Sequence, residues 1–281
     1  MQTGLFLGAK PGNGRGEAAI FGVPFDGTTT YRPGARFGPA AIRAGSQSLE
    51  TFGPYLDRDL TNMDYVDLGD LEVPQGSAER VIDMIAEAVA AIHERDMRPI
   101  ILGGEHTITI GALLKMVEKY PDLVVLQLDA HTDYREEYLG ESLNHATTMR
   151  RVADFMAPDR LFRLGVRAGT RDEFVKSGIE LPLGHEGGVL DIERVLKSIP
   201  KQAPLYVTLD LDVFDPSLMP GVGNPEPNGL TYREFIHLIR GLVWHKLVGF
   251  DVVELAPQYD TSGESAIVAA SAVRDLMLCM M

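Results

Sequence analysis

Short apolar runs recur along the chain and alternate with segments whose apolar residues follow helical spacing. We predict strands at Ala18–Val23, Met63–Val66, Pro99–Leu102, Leu123–Leu128, Leu161–Val166, Leu205–Leu209 and Leu247–Val253. We predict helices starting at Pro39 and at Ser77–Arg95, Ile108–Lys119, His145–Phe155, Arg171–Lys176, Ile192–Ser198, Tyr232–Leu242 and Ser265–Met280. Because a helix that connects two strands usually joins parallel neighbours, the alternation predicts a parallel sheet with helices on both faces.

Composition and charge narrow the possible partners. The 281 residues are 45% hydrophobic and 23% charged, which is typical of a folded globular chain and not of a disordered one. The net charge of −14 argues against a nucleic-acid partner, since binding to phosphates needs a surplus of Lys and Arg. No apolar run approaches the ~18 residues of a membrane span, and the N-terminus lacks a signal-peptide pattern. We therefore expect a cytoplasmic protein with no membrane partner.

The strongest chemical signal directly follows the apolar run Leu123–Leu128. Here Asp129, His131 and Asp133 alternate with other residues. Successive side chains of an extended chain point to opposite faces, so these three would project one way. Unpaired charge at the end of a buried strand is expensive to desolvate, and we therefore expect a cation among them.

Two more groups of possible ligands follow predicted strands. His106 comes after Pro99–Leu102, and Asp210 and Asp212 come after Leu205–Leu209. The carboxyl ends of parallel strands form the usual ligand site of such a sheet. Four carboxylates and two imidazoles suit two divalent ions that share ligands and activate one water for hydrolysis. With no cysteine among the ligands, the set favours Mn²⁺, and Fe²⁺, Co²⁺, Ni²⁺ or Zn²⁺ are possible substitutes.

Three short motifs carry a family resemblance. They are Gly103–Thr107, Asp129–Asp133 and Asp210–Pro216. In this order, each after a predicted strand, they resemble the metal signatures of the ureohydrolase family, which includes arginase and agmatinase. The segments Tyr31–Pro39, Tyr55–Leu60 and Val252–Pro257 extend the resemblance and look most like bacterial agmatinases. The resemblance implies an arginase-like three-layer α/β/α fold with a central, mostly parallel sheet of about eight strands, in a single ureohydrolase domain over residues 1–281.

The resemblance also implies a role for each site residue. It implies two Mn²⁺ ions per chain, one held by His106, Asp129, Asp133 and Asp210, the other by Asp129, His131, Asp210 and Asp212. Asp129 and Asp210 would bridge the ions. Asp133 would also orient the attacking hydroxide, His145 would shuttle protons, and Glu254 would bind the guanidinium nitrogens.

The implied reaction is hydrolysis of a guanidino C–N bond, in which hydroxide attacks the guanidinium carbon. For a small cationic substrate such as agmatine, the products would be putrescine and urea. The family usually assembles as trimers or hexamers, so we expect a homo-oligomer. Three departures from the family pattern bear on the substrate tail. Asn144 precedes the histidine where Ser or Gly is expected, and Val222 and Asn228 replace Thr and Gly in a loop that we expect to border the site.

Other functions fit parts of the pattern. A guanidino-acid hydrolase such as guanidinobutyrase would share the chemistry and differ at the pocket rim, and formiminoglutamase is a further alternative. Arginase is disfavoured because Leu143 and Asn144 stand where arginases have a Ser-Gly-Asn stretch. A metal-dependent deacetylase of the same fold would need one zinc, whereas His106 favours two ions. A ureohydrolase-like binding protein without catalysis should lack a ligand, and all six are present.

Overall fold

The computed structural model describes residues 4–12, 15–179 and 190–281. The strands within these residues are β1 (Lys10–Pro11), β2 (Ala18–Gly22), β3 (Phe52–Gly53), β4 (Arg58–Asp59), β5 (Tyr65–Asp70), β6 (Arg98–Leu102), β7 (Val124–Leu128), β8 (Leu161–Leu164), β9 (Pro204–Asp210) and β10 (Lys246–Val253). Eight of them form one sheet in the order β1-β5-β2-β6-β10-β9-β7-β8, and every pair in it is parallel. β3 and β4 form a separate antiparallel pair.

Helices cover both faces of the sheet. The α-helices of the described residues are α1 (Gly38–Ser46), α2 (Ala78–His93), α3 (Ile108–Lys119), α4 (Thr148–Val152), α5 (Arg171–Ser177), α6 (Ile192–Ser198), α7 (Tyr232–Leu242) and α8 (Glu264–Cys279). One apolar core contains side chains of α1, α6, α7 and α8, and the other contains side chains of α2, α3 and α4. Alternate residues of β6 serve the two cores: Ile100 and Leu102 pack in the first and Ile101 in the second. The predicted three-layer α/β/α architecture is confirmed.

The sequence pattern located most elements closely. The helices α3, α6 and α7 have the predicted bounds, and Ser77 caps α2 as expected, its side chain accepting from the Arg80 N–H. β5 was predicted at Met63–Val66, but it begins at Tyr65 and continues to Asp70. The apolar run ends at Val66, and the strand continues through Asp67. In the structure, the buried Arg43 guanidinium binds both oxygens of this carboxylate at 2.8 Å.

Two further predictions were wrong in detail. The segment 55–60, for which the apolar pattern predicts no strand, contains β4. The helix predicted at His145–Phe155 is instead a 3₁₀ turn, His145–Thr147, followed by the short α4. The Asn144 side chain caps this turn and the Thr147 hydroxyl bonds back to the Asn144 N–H, which fixes the chain in a tight first turn.

The strand order decides where the loops meet. β2, β6, β10, β9, β7 and β8 are consecutive neighbours, and because they are parallel their carboxyl ends share one edge. The loops that leave these ends carry all of the predicted site residues. In the described part of the chain, the helices are too short or too polar for any to cross a membrane.

Candidate metal centre and substrate cavity

An acidic residue lies at the carboxyl end of each of three neighbouring strands, at nearly the same height along the sheet. Asp129 directly follows β7, Asp210 is the last residue of β9, and Glu254 directly follows β10. The register pairs Asp210 with Val253, one residue before Glu254. The hydrogen-bonded ladder of the sheet therefore fixes the positions of these side chains.

The structure brings all six predicted metal ligands together. We call them the floor of the site: His106, Asp129, His131, Asp133, Asp210 and Asp212. They include two groups whose ligand atoms lie within 4.8 Å of one another, His106 with Asp129 and Asp210, and His131 with Asp129 and Asp212. Asp129 belongs to both groups, which is the arrangement that a bridging ligand needs. Asp133 adjoins the first group, with its Oδ2 2.9 Å from His106 Nδ1.

His106 is fully buried and held in one orientation. Its Nε2 lies 2.8 Å from the Thr208 hydroxyl, which donates its own proton to Asp251 at 2.6 Å. Thr208 must therefore accept from the imidazole, so Nε2 carries the proton and the Nδ1 lone pair is free. Nδ1 is buried without a hydrogen-bond partner among the described residues, and carboxylate oxygens of Asp129 and Asp210 lie 3.2 and 3.4 Å away. This orphaned acceptor among carboxylates fits a metal ligand.

His131 lies on the open side of the floor. Its Nδ1 is 2.9 Å from Asp212 Oδ2, and its backbone N–H donates to Asp129 Oδ1 at 2.6 Å. The other oxygen of Asp212 accepts from the Ala130 N–H at 3.0 Å. The His131 side chain is 26% exposed, against 1% for His106. The second group of ligands therefore faces incoming substrate.

Burial dominates the electrostatics of the floor. Burial, with the neighbouring charge of Asp129, raises the pKa of Asp133 to about 7. Burial and the charges of Asp212 and Asp129 raise the pKa of Asp210 well above its usual value. Burial disfavours charge on His106, but the carboxylates close to its Nδ1 outweigh this effect and raise its pKa. Asp133 and Asp210 thus hold protons more readily than ordinary carboxylates unless cations replace these protons, and the mixed oxygen and imidazole donors fit divalent ions.

Glu254 lies beside the floor in the left-handed region, at φ 68°. Its Oε1 accepts from the His106 N–H, and its own N–H donates to the Gly104 carbonyl, both at 2.8 Å. Only glycine fits at 104, because a Cβ there would lie 1.8 Å from the Phe25 carbonyl oxygen. Burial, with the nearby Glu105, raises the pKa of Glu254. Among the described residues no donor bonds its Oε2, so this oxygen can accept from a ligand.

His145 stands next to the floor on a different loop. Its backbone N–H donates to the Thr28 hydroxyl at 3.2 Å, and its Nε2 lies 3.3 Å from the Thr30 hydroxyl. Burial lowers its pKa to about 4, and the nearby His131 adds to the shift. His145 is therefore neutral at neutral pH and able to accept a proton.

A cavity of about 340 Å³ opens above the floor. It is lined by Thr30, His131, Thr132, Asp133, Arg135, Tyr138, His145, Ala146, Ala168, Gly169, Thr170, Glu173, Asn224 and Glu226. We call the surrounding loops 26–30, 134–147 and 165–173 the rim. Sequence reasoning missed its Thr30, Tyr138 and Glu173. The Thr28–Thr30 run in a long loop after an early strand was the one available signal.

The three departures from the family pattern have separate structural explanations. Asn144 caps the turn that carries His145. Val222 is 1% exposed and pairs with Leu255, and Asn228 adopts φ 66°, a conformation that suits Gly or Asn. The loop that carries Val222 and Asn228 borders the site as expected, since its Asn224 and Glu226 line the cavity, whereas Val222 and Asn228 themselves do not.

Comparisons with known proteins agree with this geometry. The family profile described as "Arginase family" matches residues 16–279. The agmatinase of Bacillus cereus is 40% identical, over 98% of this chain and 95% of the relative. The agmatine ureohydrolase structure of Thermoplasma volcanium is similar at 31% identity and a TM-score of 0.84, covering 95% of this chain and 92% of that one. Proclavaminate amidino hydrolase of Streptomyces clavuligerus is similar at 31% identity and a TM-score of 0.90, covering 100% and 97%. The chain belongs to the arginase family of ureohydrolases.

Proposed function

We propose that the protein is a manganese-dependent ureohydrolase of the agmatinase type, which hydrolyses agmatine to putrescine and urea. The observation that carries the proposal is the floor, where two histidine and carboxylate groups share Asp129 beneath a cavity that also contains His145. The agmatinase that is 40% identical over nearly the full length supports the choice of substrate within the family.

The floor residues would hold two Mn²⁺ ions, with Asp129 and Asp210 shared between them. Bound there, such ions supply positive charge that lowers the pKa of water and stabilises negative charge on the reacting atoms. Fe²⁺, Co²⁺, Ni²⁺ and Zn²⁺ accept similar ligands and are possible substitutes.

The chain's own residues would bind the guanidinium group and move protons. Glu254 Oε2 would accept from guanidinium N–H groups, since its Oε1 is already used by His106. Asp133 would accept a hydrogen bond from the attacking water and so aim its oxygen at the guanidinium carbon. The neutral His145 would first take up a proton released from the attacking water and, as the bond from this carbon to the tail nitrogen breaks, deliver it to the departing amine.

The walls of the cavity support a cationic tail. Glu173 and Glu226 both line it. Arg135 is already engaged, with its Nε 2.8 Å from Glu173 and its guanidinium stacked 4.4 Å from the Tyr138 ring. No described cation forms a salt bridge with Glu226. An ammonium tail therefore suits this wall better than the carboxylate of a guanidino acid.

The remaining expectations are part of the same proposal. The whole chain, 1–281, would act as a single ureohydrolase domain, which the continuous sheet from β1 to β10 supports. We also propose a cytoplasmic location and a homo-oligomer, either a trimer or a hexamer. The exposed aromatic side chains of Tyr31 and Phe37 offer one surface for subunit contact. Light scattering coupled to size exclusion would measure the assembly.

One experiment tests the function. The purified protein is loaded with Mn²⁺, its metal content is measured, and urea release is followed from agmatine, arginine, 4-guanidinobutyrate and formiminoglutamate. We expect two ions per chain and the highest kcat/KM for agmatine. His145→Ala should keep the metal and lose most of the turnover. Activity on arginine alone, or fewer than one ion per chain, would overturn the proposal, and full turnover by His145→Ala would remove this residue from the catalytic set.

A further inference from the structure

Asn144 makes more contacts than capping requires. The side chain is 2% exposed, and its Oδ1 accepts from the Ala146 N–H at 2.9 Å, which caps the turn that carries His145. Its Nδ2 donates in the opposite direction, to the Tyr138 carbonyl at 2.9 Å and the Glu141 carbonyl at 3.3 Å. The amide therefore ties the His145 turn to a separate segment of the rim.

That segment is a two-residue hairpin. Tyr138 and Glu141 exchange both backbone hydrogen bonds, at 2.9 and 3.1 Å, and the tip residues Leu139 and Gly140 have φ 54° and 85°. Left-handed conformations at both tip residues fit a type I′ turn, which favours Asn-Gly, and leucine is strained there. A short hairpin is marginal on its own, so this one needs an external tie. The Asn144 amide supplies it by bonding both carbonyls at the hairpin's base.

The hairpin holds a wall of the substrate cavity. Tyr138 and Thr30 line both the 340 Å³ cavity and a groove of about 820 Å³, so Tyr138 lies where the two spaces adjoin. The ring is edge-on to His145, with centroids 6.2 Å apart and planes at 86°. Its other contact is the stacked Arg135 guanidinium. A shift of the hairpin would thus open the cavity towards the groove without moving the floor.

We propose that Asn144 is a positioning residue that fixes Tyr138 as the wall of the cavity and so determines how tightly the enzyme binds the tail of its substrate. The inference rests on the proposed function, because it concerns the tail of the guanidino substrate. The two N–H donors of an asparagine amide are what the position requires. A serine hydroxyl, which the family pattern favours here, has one donor and cannot bond both carbonyls.

Two substitutions separate this role from capping. Asn144→Asp and Asn144→Ser keep an oxygen that can cap the His145 turn, and they remove one or both of the donors to the hairpin. Asn144→Ala removes the cap as well. Glu137→Gln is a matched control, since this exposed residue lies next to the hairpin and has no described contact with the site.

The test compares a probe with a tail and a probe without one. For each variant, the KM and kcat for agmatine are measured, with inhibition constants for putrescine and for the guanidinium ion. In Asn144→Asp and Asn144→Ser, the KM for agmatine and the inhibition constant of putrescine should both rise roughly five- to tenfold, because one or two hydrogen bonds to the hairpin are lost. The inhibition constant of the guanidinium ion, the kcat and the metal content should change less than about twofold. Hydrogen exchange of the Glu141 backbone amide should become faster, because the hairpin is less firmly held. Glu137→Gln should match the wild type, and Asn144→Ala should lose kcat as well.

Two outcomes would overturn the inference. One is an equal rise in the inhibition constants of putrescine and guanidinium, which would point to a general distortion of the site. The other is faster amide exchange with an unchanged KM, which would mean that the hairpin does not hold the substrate tail. If the wild-type protein released no urea from agmatine, the proposed substrate would fail instead. The same comparison would then use the guanidino compound that is hydrolysed, with its product amine as the tail probe.

Discussion

The floor and the rim of the site are built on different principles. The floor residues sit at the ends of β7 and β9 and just beyond β6, where the ladder of a buried parallel sheet fixes the backbone. The rim consists of loops tied together by side-chain hydrogen bonds, such as those of Asn144 to the 138–141 hairpin. We propose that metal binding belongs to the floor, and that the rim contributes His145 and the contacts that select the substrate tail.

Each part also has its own buried support. Behind the floor, Asp251 accepts from Thr208 and from the Tyr206 hydroxyl, and Thr208 in turn orients His106. Under the rim, Glu105 is fully buried and accepts from the loop residue Thr28. If the two parts are independent, a substitution in one support should leave the other part intact.

Replacing the shared carboxylate should have the largest effect. Asp129→Asn keeps the shape of the side chain but removes the charge that lies in both ligand groups. Metal occupancy should fall below two ions per chain and kcat/KM by roughly a thousandfold. Elemental analysis and urea release measure both quantities. Asp122→Asn, at an exposed aspartate before β7, is the control and should behave as wild type. Full occupancy in Asp129→Asn would show that this residue is not a ligand.

Removing the metal should make stability fall as pH rises from about 6.5 to 8. The pKa of Asp133 is raised to about 7, and those of His106 and His131 lie well above the usual 6.5. Above about pH 6.5, where the lowered pKa of His145 no longer opposes them, these groups make the folded protein bind more protons than the unfolded protein, which lowers the free energy of unfolding as pH increases. The slope is about 1.4 kcal/mol per pH unit for each extra proton. The stabilisation from these groups is complete below their unfolded pKa values and disappears as pH passes through the folded ones.

Urea unfolding at pH 5, 6.5 and 8, with and without a chelator, measures this dependence. A bound cation replaces the protons on the floor, so the loaded protein should show a shallower pH dependence. Parallel curves for the two forms would indicate that the floor does not bind the metal.

How much the sequence predicted also differs between the two parts. All six floor residues could be predicted, because ligand-type side chains two apart at the end of an apolar run have few structural explanations. His106, Asp129 and Asp210 come from three distant segments, but parallel strands bring their ends to one edge whatever the exact strand order. The sequence did not reveal which histidine nitrogen is free, since that depends on Thr208, 102 residues away from His106.

The rim could not be predicted in the same way. Its structure depends on ordinary residues that meet only after folding, such as Thr28 with Glu105, 77 positions apart. The loop that carries Val222 was expected to border the site and does so through Asn224 and Glu226, yet Val222 itself is part of the core. A departure from a pattern marks a position as unusual without saying which neighbours it has.

Weakening the support behind His106 should affect the metal and not the rim. Thr208→Val keeps the size of the side chain but removes the acceptor for Nε2–H, leaving the orientation of the imidazole undefined. Metal affinity should fall about 10- to 100-fold, the usual effect of losing such a partner. Titration calorimetry with Mn²⁺ measures it, and Thr208→Ser should restore most of the affinity. Unchanged affinity in Thr208→Val would mean that packing alone orients His106.

Weakening the support of the rim should do the reverse. The Glu105 carboxylate accepts from the Thr28 N–H at 2.8 Å and from the hydroxyls of Thr28, Thr29 and Thr107 at 2.5, 3.2 and 2.8 Å. Glu105→Gln places an N–H₂ group against these donors, so at least one hydrogen bond is lost. We expect kcat to fall about tenfold, because Thr28 also holds His145, while two ions stay bound. Loss of metal together with activity would show that floor and rim are coupled.

The smallest expected effect is a gain in stability at the tip of the hairpin. Leu139 is 78% exposed and adopts φ 54°, which disfavours leucine and suits asparagine before a glycine. Leu139→Asn should raise the free energy of unfolding by about 1 kcal/mol and the Tm by about 2–4 °C. Leu139→Ala removes the exposed apolar side chain without improving the backbone preference, so it should give no comparable gain. Equal stabilisation by both variants would attribute the effect to lost apolar exposure. A gain specific to asparagine, with metal content unchanged, would show that the rim carries backbone strain at Leu139.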